Sequence, residues 1–236
     1  MGSSLRRVVR DPWVVAMSVM ALGFAGWGAE GRSRLVPDDL LEPHWVWALR
    51  FGVGVTLVVI LPLAILRWWG DASDDGERSL QAWGFGLGDW KRGLPLALGL
   101  SLAGGAVFFF FVSKDPAMHG EYPLFAPGPP TQRIPVAEFV TYEAIYFLFF
   151  LTGEGAMRGI LLFGLERRTN AATAIAITTL VQVVWHTGKP VSEMLSAPVW
   201  GLLVGIANLR LKSMWWMLIF HWVTNVILDF AIYYYR

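Results

Sequence analysis

Seven apolar runs, separated by charged or proline- and glycine-rich stretches, set the pattern of this 236-residue chain. The first, Pro12 to Ala29, is uncharged and about 27 Å long as a helix. Its length and Trp27 near its end favour a retained span over the shorter apolar region of a cleaved signal peptide. His44 to Leu66 is the second run; its Arg50 is placed to snorkel toward an interface or to pair with an acid. A charged connection with Asp71, Asp74, Asp75, Glu77 and Arg78 follows, and its later part, Leu80 to Trp90, reads as a short surface element. Gly93 to Ser113 is the third run, with a Gly104-Gly105 pair that invites close helix approach. The proline- and glycine-rich stretch from Lys114 to Pro135 predicts an irregular loop.

The fourth run, Val136 to Leu165, differs from the others in carrying Glu138, Glu143, Glu154 and Arg158. Asn170 to His186 is the fifth, stopped by Thr187-Gly188-Lys189-Pro190, and Met194 to Leu209 and Met214 to Tyr234 complete the set. The pattern predicts an all-α polytopic membrane protein of about seven transmembrane helices, organised as one integral membrane domain over 1–236. The polar residues concentrate in the last four spans, a motif-bearing core at about 136–234.

Composition agrees with this pattern. Hydrophobic residues make up 55% of the chain and charged ones 16%, against about 25% in a typical soluble domain. The net charge of +1 gives no reason to expect a nucleic-acid partner, and the lack of cysteine excludes thiolate chemistry. Tryptophans near run ends (Trp13, Trp45, Trp47, Trp68, Trp69, Trp215, Trp216) suggest an aromatic belt in a lipid bilayer. If the N-terminus is inside, eleven Lys and Arg lie in inside segments and six in outside ones, which favours an inside N-terminus and an outside C-terminus.

Ionisable groups within apolar spans are costly and usually face a protein interior, a partner or a water-filled cavity. Glu154 and Arg158, four residues apart, share one helical face. His186 closes the fifth span, while His221 and Asn225 share a face of the seventh, which Asp229 extends by one more turn. Singly, each has a plain alternative: a histidine or Asn225 as interhelical glue, Arg158 as a snorkelling cation, Gly155 and Gly159 as a packing pair. Together, one Glu and two His on three helices suit two hydrolytic mechanisms. A carboxylate with a histidine can activate water, or Glu154, His186 and His221 can hold a zinc ion. An imidazole and a carboxamide can also stabilise an oxyanion. With no His-Glu-x-x-His spacing present, the metal-free alternative is favoured and no cofactor is expected.

The order Glu-x-x-x-Arg (Glu154, Arg158), then His186, then His-x-x-x-Asn (His221, Asn225) resembles the CPBP family. This is the CAAX-protease and bacteriocin-processing group, also called Abi, of intramembrane endopeptidases. Two positions depart from the family pattern: Gly153 stands where it has a first Glu, and Gln182 where it has Phe. The run His186-Thr187-Gly188-Lys189-Pro190-Val191-Ser192-Glu193 looks like a subgroup that often has a single Glu in the first motif. In that subgroup's light Glu193 is either a relocated carboxylate, a partner for Lys189, or a solvated acid capping the sixth helix.

The resemblance implies catalytic roles for Glu154, Arg158, His186, His221 and Asn225, with Glu193 and Asp229 as auxiliaries. Glu154 would be the general base, His186 would position water, Arg158 would hold Glu154, and His221 with Asn225 would bind the oxyanion. A membrane-anchored protein or peptide is the implied substrate: a prenylated CAAX protein, a bacteriocin leader or a sorting anchor. The implied location is a bacterial or archaeal cytoplasmic membrane, with the cavity opening outside. Gly153 keeps open a second reading, a pseudo-protease that binds or scaffolds anchored proteins without cutting them. A small transporter ranks last, because broken-helix pairs are lacking.

Overall fold

The computed structural model describes residues 11–27, 43–69, 79–125 and 135–235. Arg6, Arg7 and Arg10, the loop bearing Arg32 and Arg34, the acidic stretch from Asp71 to Arg78, Arg133 and Arg236 lie outside the described residues. The described chain forms helices α1 (Pro12–Trp27), α2 (His44–Trp69), α3 (Trp90–Phe110), a short α4 (Pro116–Glu121), α5 (Val136–Arg168), α6 (Ala171–Trp185), α7 (Val191–Leu211) and α8 (Trp215–Tyr234). No strand occurs among the described residues. The protein is an all-α polytopic membrane protein.

The apolar runs become helices, but they are not equally long. Five of those described, α2, α3, α5, α7 and α8, are long and apolar enough to cross a membrane. The other two expected spans, α1 and α6, have 16 and 15 residues and extend only about 22–24 Å. For α6 the cause is local. The Asn170 side chain caps its start by accepting from Thr173 N at 2.9 Å, and Gly188, at φ +91°, turns the chain away beyond its end.

The helices pack in pairs: α1 with α2, α2 with α5, α3 with α8, and α6 with α7. The Gly104-Gly105 pair does bring α3 against α8. A Cβ on Gly105 would stand 2.3 Å from Ile227 Cδ1, and one on Gly104 3.0 Å from Phe220 and Thr224. Two helices also contain a wider π-helical turn, Thr56–Ile60 in α2 and Gly155–Leu161 in α5. The two turns meet where Val59 Cγ2 approaches Gly155, 3.1 Å from where a Cβ would be. A π turn amounts to one extra residue in the helix and often marks a functional site.

Several connections differ from expectation because side chains reach inward. Leu80–Trp83 is a 3-10 turn that tucks Trp83 into the core instead of lying on the surface. It is fixed by Trp215 Nε1 donating to the Phe85 carbonyl and Trp216 Nε1 to the Leu87 carbonyl, both at 2.9 Å. Those two tryptophans therefore hold a loop rather than a bilayer boundary, whereas Trp45, Trp68 and Trp69 are exposed near helix ends as a belt requires. Arg50 does not snorkel; it is buried, with its guanidinium 5.3 Å from the Trp47 ring centre. The Lys114–Pro135 stretch holds α4, started by Pro116 and by Asp115, whose carboxylate accepts from Ala117 N at 3.0 Å.

Candidate active site

Glu154, the last residue before the π turn of α5, is buried along with Arg158 inside that turn. The Glu154 carboxylate is held from two sides. His221 Nδ1 lies 2.8 Å from Oε1, and Arg158 Nε lies 3.8 Å from Oε2. Arg158 also donates from Nη1 to Thr178 Oγ1 of α6 at 3.1 Å, and Thr178 in turn donates to the Ala174 carbonyl at 2.9 Å. The Glu154–Arg158 pair is thus braced against the neighbouring helix.

The His221 ring sits between Trp200 of α7 (4.6 Å between ring centres) and Phe150 of α5 (4.9 Å, edge to face). A ring held on both faces, with Nδ1 directed at Glu154, leaves Nε2 as its free nitrogen. Asn225 donates from Nδ2 to the His221 carbonyl at 3.0 Å, which ties the carboxamide to the same turn of α8.

His186 stands at the C-terminal end of α6, with its Nδ1 2.8 Å from the Gln182 carbonyl. The Gln182 amide lies 3.3–3.4 Å from the ring nitrogens. Across from the ring is Glu193 in the first turn of α7, whose Oε1 is 3.6 Å from His186 Nε2. Tyr122, just past α4, donates to both Glu193 oxygens, at 3.0 and 3.1 Å. Its phenol is pushed well above its usual pKa, first by burial and then by the Glu193 charge, so it stays a donor. Lys189 pairs with Glu121, and Ser192 donates to Asp115 at 3.0 Å. Glu193 is therefore not a solvated cap, and the direct ion pair of Lys189 is with Glu121, with Glu193 feeling the Lys189 charge from further off.

These two groups face a single cavity of about 310 Å³. Glu154, His186, Glu193, His221 and Asn225 all line it, as do Gly153 and Gln182. Two of the expected site residues do not reach it. Arg158 lies behind Glu154, fully buried. Asp229 turns away, because each four-residue step advances 400°, so the face drifts by 40° per step. Leu228, seven residues after His221 and nearly in phase with it, takes the cavity position. Asp229 instead lies beside Glu143 in the buried contact between α5 and α8, without a well-formed hydrogen bond to it.

The carboxylate–histidine pairing also differs from expectation. Glu154 belongs to His221, and His186 has Glu193. As arranged, Glu154, His186 and His221 do not fit a three-donor zinc site, and no group of three His, Asp or Glu among the described residues does. Tyr122 and Thr178 escaped sequence reading, Tyr122 because its partner is 71 residues away. Gln182 was readable: a polar residue one turn before a histidine on an apolar helix signals a bonded pair.

Residues 135–227, from the start of α5 into α8, match the family model for type II CAAX prenyl endopeptidase Rce1-like proteins. The match supports the CPBP family. It contains every cavity-lining carboxylate and imidazole named above. It also supports a protease-type enzyme. No curated protein and no solved structure matches the chain.

Proposed function

We propose that the protein is an intramembrane endopeptidase that hydrolyses a membrane-anchored polypeptide, with water activated by a Glu–His pair. One observation carries the reading: two carboxylate–imidazole pairs from four helices face one cavity with a mostly apolar lining. Buried polar groups are expensive in such a setting, and a purely packing role would not need four of them aimed at one space.

The residues divide the work by position. Glu154 holds the His221 ring through Nδ1, which leaves Nε2 turned away from the carboxylate. His221 and Asn225 are then placed to stabilise the oxyanion that develops on a scissile carbonyl. Arg158 and Thr178 hold Glu154 in place without touching the substrate. The aromatic and aliphatic remainder of the cavity suits an apolar segment of the chain being cut. With an inside N-terminus, the His186 end of α6 and the cavity face outward, which favours anchors removed after export.

The test uses the purified full-length protein in liposomes with two probes, a prenylated CAAX peptide and a reporter held by a C-terminal hydrophobic anchor. Cleavage of either by the wild type, and its loss in His186→Ala and His221→Ala, is the expected result. If neither probe is cut, the non-cutting pseudo-protease reading replaces this one; if all three proteins cut equally, the cleavage does not come from this site and the endopeptidase reading is wrong.

A further inference from the structure

We infer that Glu193 is the catalytic base that partners His186, and that Tyr122 is the residue positioning it. This rests on the endopeptidase reading and assigns which of the two pairs handles the water. In the other pair the Glu154 carboxylate has His221 on Oε1, while Oε2 is sealed from solvent with the Arg158 guanidinium 3.8 Å away. The Glu193 carboxylate lines the same cavity, accepts the two tyrosine hydrogen bonds and has the imidazole nearby, with the Lys189 charge acting on it from further off.

The spacing between Glu193 and His186 suggests what fits between them. With Nδ1 donating to the Gln182 carbonyl, the neutral His186 ring offers Nε2 as an acceptor. Glu193 Oε1 is an acceptor as well, 3.6 Å away, too far for a direct hydrogen bond. Two acceptors at that separation are bridged by a single water donating one hydrogen to each. Such a water keeps its oxygen lone pairs free to point into the cavity that His221 and Asn225 also line.

The chemistry balances without a further reactant. The water oxygen attacks the scissile carbonyl carbon as one of its protons passes to Glu193, and the carbonyl π pair moves onto the oxyanion. When the C–N bond breaks, that proton goes from Glu193 to the departing nitrogen. One water is consumed, and an acid and an amine are formed.

Tyr122 makes this geometry specific. A buried phenol straddling both oxygens fixes the carboxylate plane and leaves Oε1 turned to His186. It does so from the α4 segment, which Glu121–Lys189 and Asp115–Ser192 tie to the α6–α7 turn. The Glu121–Lys189 tie provides a control, because Glu121→Gln loosens the segment and leaves both tyrosine hydrogen bonds to Glu193 in place.

The experiment measures kcat and KM on whichever probe the wild type cleaves, with thermal midpoints of each purified variant. Glu193→Gln should lower kcat by at least 100-fold, as loss of a general base does. Glu193→Asp should recover part of that loss, and Tyr122→Phe should lower kcat about 10-fold with KM within 2-fold. Glu121→Gln should leave kcat within 2-fold. If Glu193→Gln turns over within 2-fold of wild type at an unchanged midpoint, the assignment is overturned while the endopeptidase reading stands. If Glu121→Gln matches Tyr122→Phe, the tyrosine only anchors the segment and its positioning role is wrong. A wild type that cleaves neither probe overturns both.

Discussion

Arg158→Met isolates the most exposed energetic consequence of this fold. The guanidinium is fully buried, 3.8 Å from Glu154 Oε2, and donates a hydrogen bond to Thr178. At that separation an effective dielectric of about 20 gives an attraction of about 4 kcal/mol. Removing the cation leaves Glu154 buried with only His221 beside it, a loss of about 3–5 kcal/mol. Glu154→Gln strands Arg158 in the same way and should cost a similar amount. The double variant Glu154→Gln/Arg158→Met removes both charges and should lose less than the sum of the two single losses, the shortfall being a coupling energy of about 2–4 kcal/mol. Thermal midpoints of the four detergent-solubilised proteins close the cycle, each kcal/mol corresponding to about 2–4 °C at this size. If the double variant is destabilised by the sum of the two single losses, the pair is not an electrostatic unit and the reasoning fails.

Other consequences can be read in the same assay. Thr178→Val takes the acceptor from a charged donor and should cost about 1.5–3 kcal/mol; a midpoint equal to wild type shows that Arg158 does not rely on it. Gly105→Val should push α3 off α8 through Ile227 and cost about 1–3 kcal/mol, whereas Gly99→Ala, with open space around it, should be silent. At Gly153 the nearest atom to an added Cβ is Met157 Cε at 3.7 Å, so Gly153→Glu should fold with its midpoint within about 4 °C of wild type. A collapse in expression or melting there would show that the cavity wall has no room for a second carboxylate.

The helices were legible because hydrocarbon demands long apolar runs, and the runs were long. Site membership was legible for the same reason, since Glu154, His186, His221 and Asn225 are conspicuous in such surroundings. Pairing was not. Which carboxylate meets which imidazole depends on how α7 enters after the His186 turn, and no periodicity encodes that. The inward turn of Leu80–Trp83 was hidden by indole N–H groups that reach carbonyls about 130 residues away. Asp229 was misplaced by treating two successive four-residue steps as one face.

The π turn of α5 sets the rotational phase between its two halves. Rewinding the same residues as an ordinary helix, with none deleted, would swing everything beyond the turn through about 100°. Arg167 stacks 4.0 Å from the Trp83 ring centre and Arg168 4.4 Å from that of Trp13, and both contacts would break. Glu154, lying before the turn, would keep its place. The extra residue thus lets one rod satisfy two azimuths at once, with the carboxylate aimed at His221 and the two arginines aimed at their indoles.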